Sequence, residues 1–349
     1  MYMLNEIIEN NAISRIASCY KRSPMQVNKI HESDSEIIKL NYDLHLAITT
    51  DSISEEIETG LYDDPWLIGW MIVTVNLSDL AAVGAKPIGL VISQIIPDNT
   101  DDEFINKLSK GISDACKHYG TYILGGDLNS GTQLILTGTA TGTIEKGNIM
   151  TRFGIQEQDS LFISGKAGIG NAFALNKFSG KTGLNINYKP KARIKEGALL
   201  REFASACMDT SDGVISTLDQ LSRINNIGIA INDYKDLLDN ESIEVSQQYN
   251  FPSWLFLAGQ HGEFELIFSI PEHNTREFLY RANEINWHPI KLGTPTKKCS
   301  ITLPLYDKIA ELDTQYIRNL LNSLQGNKSL YMKKLLQLDQ KLRYNKTIS

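Results

Sequence analysis

Apolar positions along this chain alternate between a three-to-four-residue rhythm and short strand-like runs. Over residues 3–20, Leu4, Ile7, Ile8, Ile13 and Ile16 fall loosely on one side of a predicted helix. EIIKL at 36–40, a break at Asn41–Tyr42, and LHLAITTD ending at Asp51 read as a strand pair. SEEIETGLYDD, 54–64, is acidic and reads as a loop crossing a site; Pro65 suits the first turn of a following helix. From Trp66 to Val83, Trp70, Val73, Leu77 and Leu80 or Ala81 recur at helical spacing, with Gly84 placed as a C-terminal cap. The β-branched stretch at 72–75 would also suit a strand. IGLVISQIIP reads as a buried strand ended by Pro97, and DDEFINKLSKGISDACKHYG as a helix with an acidic first turn and Gly120 at its end. TYILGGD and QLILTGTATGTI complete a strand–turn–strand unit.

At DSLFISGKAGIGNAFAL the order restarts as strand, glycine-rich turn and helix. ALLREFASACMD and VISTLDQLSRINN read as helices, GIAIN and ELIFSIP as strands. The tail has two helical stretches, the last of them, SLYMKKLLQLDQKLRYNK, amphipathic and basic. No short-period repeat interrupts the pattern. At 349 residues the chain exceeds the usual size of one core. The expected architecture is α/β (α+β): residues 1–156, residues 157–305, and a helical tail over 306–349.

Composition narrows the function classes. With 34 basic against 41 acidic residues the net charge is −7, which argues against general nucleic-acid binding. The start, MYMLNEIIENN, lacks the long apolar core of a signal peptide, and no apolar run approaches the ~20 residues that cross a bilayer. Four cysteines, Cys19, Cys116, Cys207 and Cys299, show no CxxC spacing. A cytoplasmic protein with buried thiols, and neither membrane nor nucleic acid as partner, is the expectation.

The chemistry lies in aspartates where apolar stretches give way to turns: Asp34, Asp51, Asp79, Asp127, and Asp209 with Asp212 in CMDTSDG. Any one alone reads as a helix cap or turn residue. Together they suggest carboxylates converging at one rim, where mutual repulsion calls for a cation. Mg²⁺ is the expected ion, because it takes oxygen ligands and bridges to substrate phosphates. GKT at Gly180–Thr182 is not a P-loop, since Leu175 stands where the pattern needs glycine. The loop SGKAGIGNA, 164–172, reads either as a tight turn or as an anion-binding helix start. Phe173 occupies the third-glycine slot of a Rossmann fingerprint. His261, in GQHGEFEL, reads either as a hydrogen-bonded loop residue or as a site residue. The basic tail helix reads as packing on its own domain or a partner subunit, or else as touching RNA or membrane.

IGWMIVTVNLSDLAAVGAKP, LGGD, GTATGTIEKGNIMTRFGIQEQD and MDTSDG resemble the thiamine-monophosphate kinases over about residues 32–295. These belong to the aminoimidazole ribonucleotide synthetase (PurM-like) superfamily, with selenophosphate synthetase and a hydrogenase-maturation protein. The resemblance implies two domains, an N-terminal sheet that pairs with a second subunit in a homodimer, ATP in the cleft, and Mg²⁺ on aspartates. It implies metal ligation by Asp34, Asp51, Asp79, Asp127 and Asp212. Nucleotide contacts would come from Asp51, Asn76, Asp79, Gly125, Gly126, Asp127, Arg152 and Ser211. Asp127, Arg152 and Asp212 would carry catalysis, and Glu55, Glu58, His261, Glu263 and Glu265 would face the acceptor.

The pattern also departs from the family. Glu58 stands where the family's V-E-G-V-H-F has histidine, QHGEFEL replaces GGEDYEL, and the tail lacks the aromatic G-W-x-H-F ending. Cys19 has no glycine-rich setting as in selenophosphate synthetase, and the end KTIS carries no cysteine as in the hydrogenase protein. The expected function is ATP- and Mg²⁺-dependent phosphoryl transfer to a small phosphorylated acceptor, thiamine monophosphate by resemblance. The alternatives are a synthetase-like enzyme activating an amide or carboxylate, and a non-catalytic nucleotide-binding dimer.

Overall fold

A computed structural model describes residues 4–145, 147, 149–179 and 184–344. The GKT triplet at 180–182 and the chain's ends at 1–3 and 345–349 lie outside the described residues. A 3₁₀ turn and α1 (Ile8–Ala17) precede β1 (Glu36–Lys39), β2 (Leu44–Ser52), α2 (Ser54–Glu58), α3 (Pro65–Ala82), β3 (Lys86–Pro97), α4 (Asp102–Tyr119), β4 (Ile123–Gly131) and β5 (Ile135–Glu145). The sheet order is β1-β2-β5-β3-β4, antiparallel except for β3 with β4.

The helix at 66–83 forms as its spacing predicts. Asp64 accepts the amides of Trp66 and Leu67 at 3.2 and 3.3 Å, Pro65 takes the first helical position, and Gly84 follows the end at φ 64°. By length and composition α3 could cross a membrane, yet fifteen of its eighteen residues are buried, making it the central core helix of this half. It presses on α4 through paired glycines: a Cβ at Gly69 would meet the Leu108 carbonyl at 2.1 Å, and one at Gly111 the Trp66 carbonyl at 2.1 Å. Both helices lie against the face of the sheet that buries Ala47, Leu90, Ile92 and Ala140.

The second half comprises β6 (Ser160–Ile163), α5 (Ile169–Phe178), α6 (Ile194–Leu200), β7 (Ala206–Asp209), α7 (Val214–Asn225), β8 (Gly228–Ile231), α8 (Asn240–Tyr249), α9 (Leu255–Ala258), β9 (Leu266–Ile270), α10 (Glu272–Glu284), β10 (Ile290–Thr296), β11 (Ile301–Leu305), β12 (Lys308–Glu311), α11 (Thr314–Ser323) and α12 (Lys328–Tyr344). Its seven-stranded sheet runs β12-β11-β8-β10-β6-β9-β7. β12 carries this sheet to Glu311, past residue 305.

Four sequence expectations are corrected. The acidic stretch at 54–64 contains a helix, α2, rather than being loop throughout. The expected helix at 198–209 stops at Leu200, because ACMD pairs with β9 as the buried edge strand β7. Asp127 stands inside a strand, since β4 continues to Gly131 by pairing with β3. The N-terminal helix buries only Ile7 of its expected apolar side, and Ile8, Ile13 and Ile16 are exposed. Polar groups dock it instead: Asn10 donates to Gln220 at 2.8 Å, and Asn319 binds both the Ile8 amide and the Glu6 carbonyl at 2.8 Å.

The tail packs on its own chain. Tyr331, Leu335 and Leu338 of α12 join the core of the second half, and Asp339 accepts from the Trp254 indole at 2.7 Å.

Candidate functional site

Three segments far apart in sequence bring Asp34, Asp79 and Asp209 together, each offering an oxygen within 4.8 Å of the others. Asp34 precedes β1, Asp79 lies in the last turn of α3, and Asp209 ends β7, so the cluster spans the junction of the two halves. Neighbouring hydroxyls aim the carboxylates: Thr49 donates to Asp79, Ser78 to Asp209 at 2.6 Å, and Ser211 to Asp209 at 2.9 Å. Arg152, in the segment joining the two sheets, grips Asp34 with two bonds of 2.9 and 3.3 Å. Burial alone would weaken this guanidinium's hold on its proton, but the Asp34 charge outweighs it and keeps the arginine fully charged.

One arginine does not neutralise the cluster. Burial and then the Asp34 charge push Asp209 up to about 7. Burial and then Asp51 hold Asp79 well above the usual carboxylate range. Burial also raises Asp51, with Asp212 and Asp34 adding repulsion against a hydrogen bond to Asp79 that lowers it. Hard oxygen donors, close together and retaining protons for want of positive charge, fit a divalent cation such as Mg²⁺.

Asp209, which the metal assignment from sequence omitted, is central to the cluster; its signal was the MDTSDG motif, where Asp212 was chosen instead. Asp51 and Asp212 stand beside the cluster. Asp127 does not join it. The register Asp51–Gly138–Ile92–Gly126 puts three strand spacings, roughly 14 Å, between β2 and β4. Asp127 pairs with exposed Ser93, on the face turned away from α3, where Asn129 donates to it at 2.6 Å.

Several other expected ligand contacts also take part in the protein's own framework. Asn76 is buried, its oxygen accepting the Asp51 amide at 3.1 Å and its nitrogen bound to the Ile72 carbonyl at 2.9 Å. Gly125 and Gly126 lie within β4, where a Cβ at Gly126 would meet the Ile92 carbonyl at 2.0 Å. Glu263 accepts the amides of Gly168 and Gly170 at 2.7 and 3.2 Å, so a carboxyl group of the protein itself occupies the glycine-rich loop. Glu265 is paired with Arg193 and accepts from Ser164. Glu58 is exposed and outside the cavity described next, whereas its neighbour Glu56 lines it.

A cavity of about 780 Å³ opens beside Asp212. Glu55 and Glu56 line it from α2, Leu175 and Phe178 from α5, and Leu321 and Met332 from the tail helices. Glu9 of α1, unflagged by the sequence, also borders it; Asp212 and then burial raise its pKa. His261 closes one side within a ring cluster, 5.1 Å from Tyr188 and 5.7 Å from Tyr62. Burial pushes its pKa down to about 3, so the imidazole is neutral there.

Comparison with known proteins agrees with this geometry. Residues 32–144 match the AIR synthase related protein family, N-terminal domain. The thiamine-monophosphate kinase of Pyrococcus horikoshii is 30% identical over 69% of this chain and 77% of its own length. That of Buchnera aphidicola subsp. Schizaphis graminum is 33% identical over 74% and 81%. Among solved structures, AaThiL complexed with AMPPCP and TMP has a TM-score of 0.72 at 21% identity, covering 87% of this chain and 96% of that one. With its two mixed sheets, its carboxylate cluster at their junction and relatives of this closeness, the chain belongs to the thiamine-monophosphate kinase family.

Proposed function

We propose that this protein transfers the γ-phosphoryl of ATP to a small phosphorylated acceptor, thiamine monophosphate. The observation that carries the reading is the convergence of Asp34, Asp79 and Asp209 beside a cavity large enough for a small substrate. The names of the relatives, and the AMPPCP and TMP in one structural neighbour, support the choice of donor and acceptor.

Asp34, Asp79 and Asp209 would hold Mg²⁺, with Asp51 and Asp212 at its margin. When bound, the ion supplies neutralisation of phosphate charge. The protein's own part is alignment. Ser78, Ser211 and Thr49 fix the carboxylate directions, Arg152 fixes Asp34, and Asp212 marks the boundary between cluster and cavity. A phosphate acceptor already bears a nucleophilic oxygen, so no strong base is needed; the neutral, ring-packed His261 is consistent with that.

The synthetase-like alternative rests on the two altered motifs SEEIET and QHGEFEL. The second no longer supports it, because Glu263 and Glu265 are engaged inside the protein. Free thiols at Cys19, Cys116, Cys207 and Cys299 favour a cytoplasmic location.

The test is to incubate the protein with ATP, Mg²⁺ and thiamine monophosphate and to follow ADP and thiamine diphosphate. Asp79→Asn and Asp209→Asn should each lower turnover at least a hundredfold while circular dichroism stays unchanged. Wild-type turnover in both variants would refute the metal assignment.

A further inference from the structure

One part of the cavity beside Asp212 has a different character. Lys328, the first residue of α12, sets its ammonium 3.8 Å from the centre of the Phe178 ring. Glu55 and Glu56 line the cavity with this pair. The lysine's proton affinity is lowered by burial and raised by both of these carboxylates, so their field reaches the ammonium. An aromatic face with two carboxylates beside it attracts positive charge, because the ring's quadrupole and the carboxylates act in the same direction. Three separate segments of the chain build this part: α2 of the first half, α5 of the second, and the tail. Lys328 sits at a helix start on a flexible four-carbon stem and can swing away without unwinding α12.

We infer that Lys328 is an internal occupant of this part of the cavity, which a cationic acceptor must displace to bind. The inference rests on the phosphotransferase reading to orient the acceptor, with its phosphate toward Asp212 and its charged ring against Phe178. It makes the tail helix a determinant of acceptor affinity, through a contact that competes with the substrate.

Calorimetric titration of the full chain with thiamine monophosphate tests this. Lys328→Met removes the competing charge and keeps the apolar stem, so it should tighten binding about tenfold. Phe178→Leu removes the ring at a half-exposed position and should weaken binding about tenfold. ATP affinity should stay within twofold of wild type in both variants. Equal or weaker binding by Lys328→Met, or no binding by either wild type or Lys328→Met, overturns the proposal. Failure of the phosphotransferase reading looks different: the expected binding pattern with no ADP formed. Turnover of thiamine monophosphate with its KM unchanged in Lys328→Met removes the competition by Lys328 alone.

Discussion

Glu263 places a carboxyl group of the protein itself at the start of α5. Its two amide bonds favour the ionised carboxylate, but burial dominates and pushes the pKa up to about 8. The sign of the pH effect follows. Below the ordinary value of 4.5 the group is protonated whether the chain is folded or not. As pH rises from there through about 8, the unfolded chain ionises while the folded one resists, and stability is lost across that window. Glu263→Gln should therefore flatten the dependence of the denaturation midpoint on pH between these limits. The contribution removed is on the order of 5 kcal/mol. An unaltered slope would show that this carboxyl titrates normally. QHGEFEL signals a site through its carboxyl groups, yet Glu263 holds the loop and Glu265 holds Arg193. Only the partners distinguish a ligand contact from a structural one.

Among the elements, α7 joins the most distant parts of the chain. Its buried Asp219 receives Arg223 at 2.8 Å, Arg318 of α11 at 3.2 Å and Thr314 at 2.6 Å. Arg318 also bonds Gln220, which receives Asn10 from α1. Tail, N-terminal helix and α7 thus share one buried polar network. Asp219→Ala would take from two largely buried guanidinium groups the carboxylate they share, leaving Arg223 with Glu6 and Arg318 with Glu9 at 4.0 Å; the expected loss in chemical denaturation is about 3 kcal/mol. A change below about 1 kcal/mol would mean that solvent replaces the carboxylate there. The helical rhythm of α3, α4 and α12 was readable from sequence, because burial of one side or of the whole helix repeats with the helix turn. β7 was misread as helix because a four-residue buried strand carries no period of its own; its pairing with β9 decided the matter.

At the scale of the whole molecule, the first sheet leaves one side uncovered. Tyr122, Ile123, Leu124 and Leu128 on or beside β4 are exposed, together with Ile88 and Val91 of β3. An apolar strand edge in the open invites a second sheet. The homodimer implied by family resemblance is our proposal for what covers it. Leu128→Asp should convert a dimer to a monomer in light scattering, with the carboxylate cluster of each chain intact. A monomeric wild type would remove the proposal.

The sequence by itself determined the two-part strand and helix order, the helix start at Pro65, the helix ends at Gly84 and Gly120, and most of the carboxylates of the cluster. Caps and hydrophobic periods are local, and short motifs carry their chemistry with them. Tertiary structure alone decided which aspartates meet. Asp209 enters and Asp127 does not, because strand register and the face of a sheet depend on pairing with distant residues. It likewise decided that the glycine loop is filled by Glu263, that α12 packs on its own chain, and that Lys328 rests on Phe178. Each of these depends on residues brought close only by folding, so no spacing along the chain could announce them.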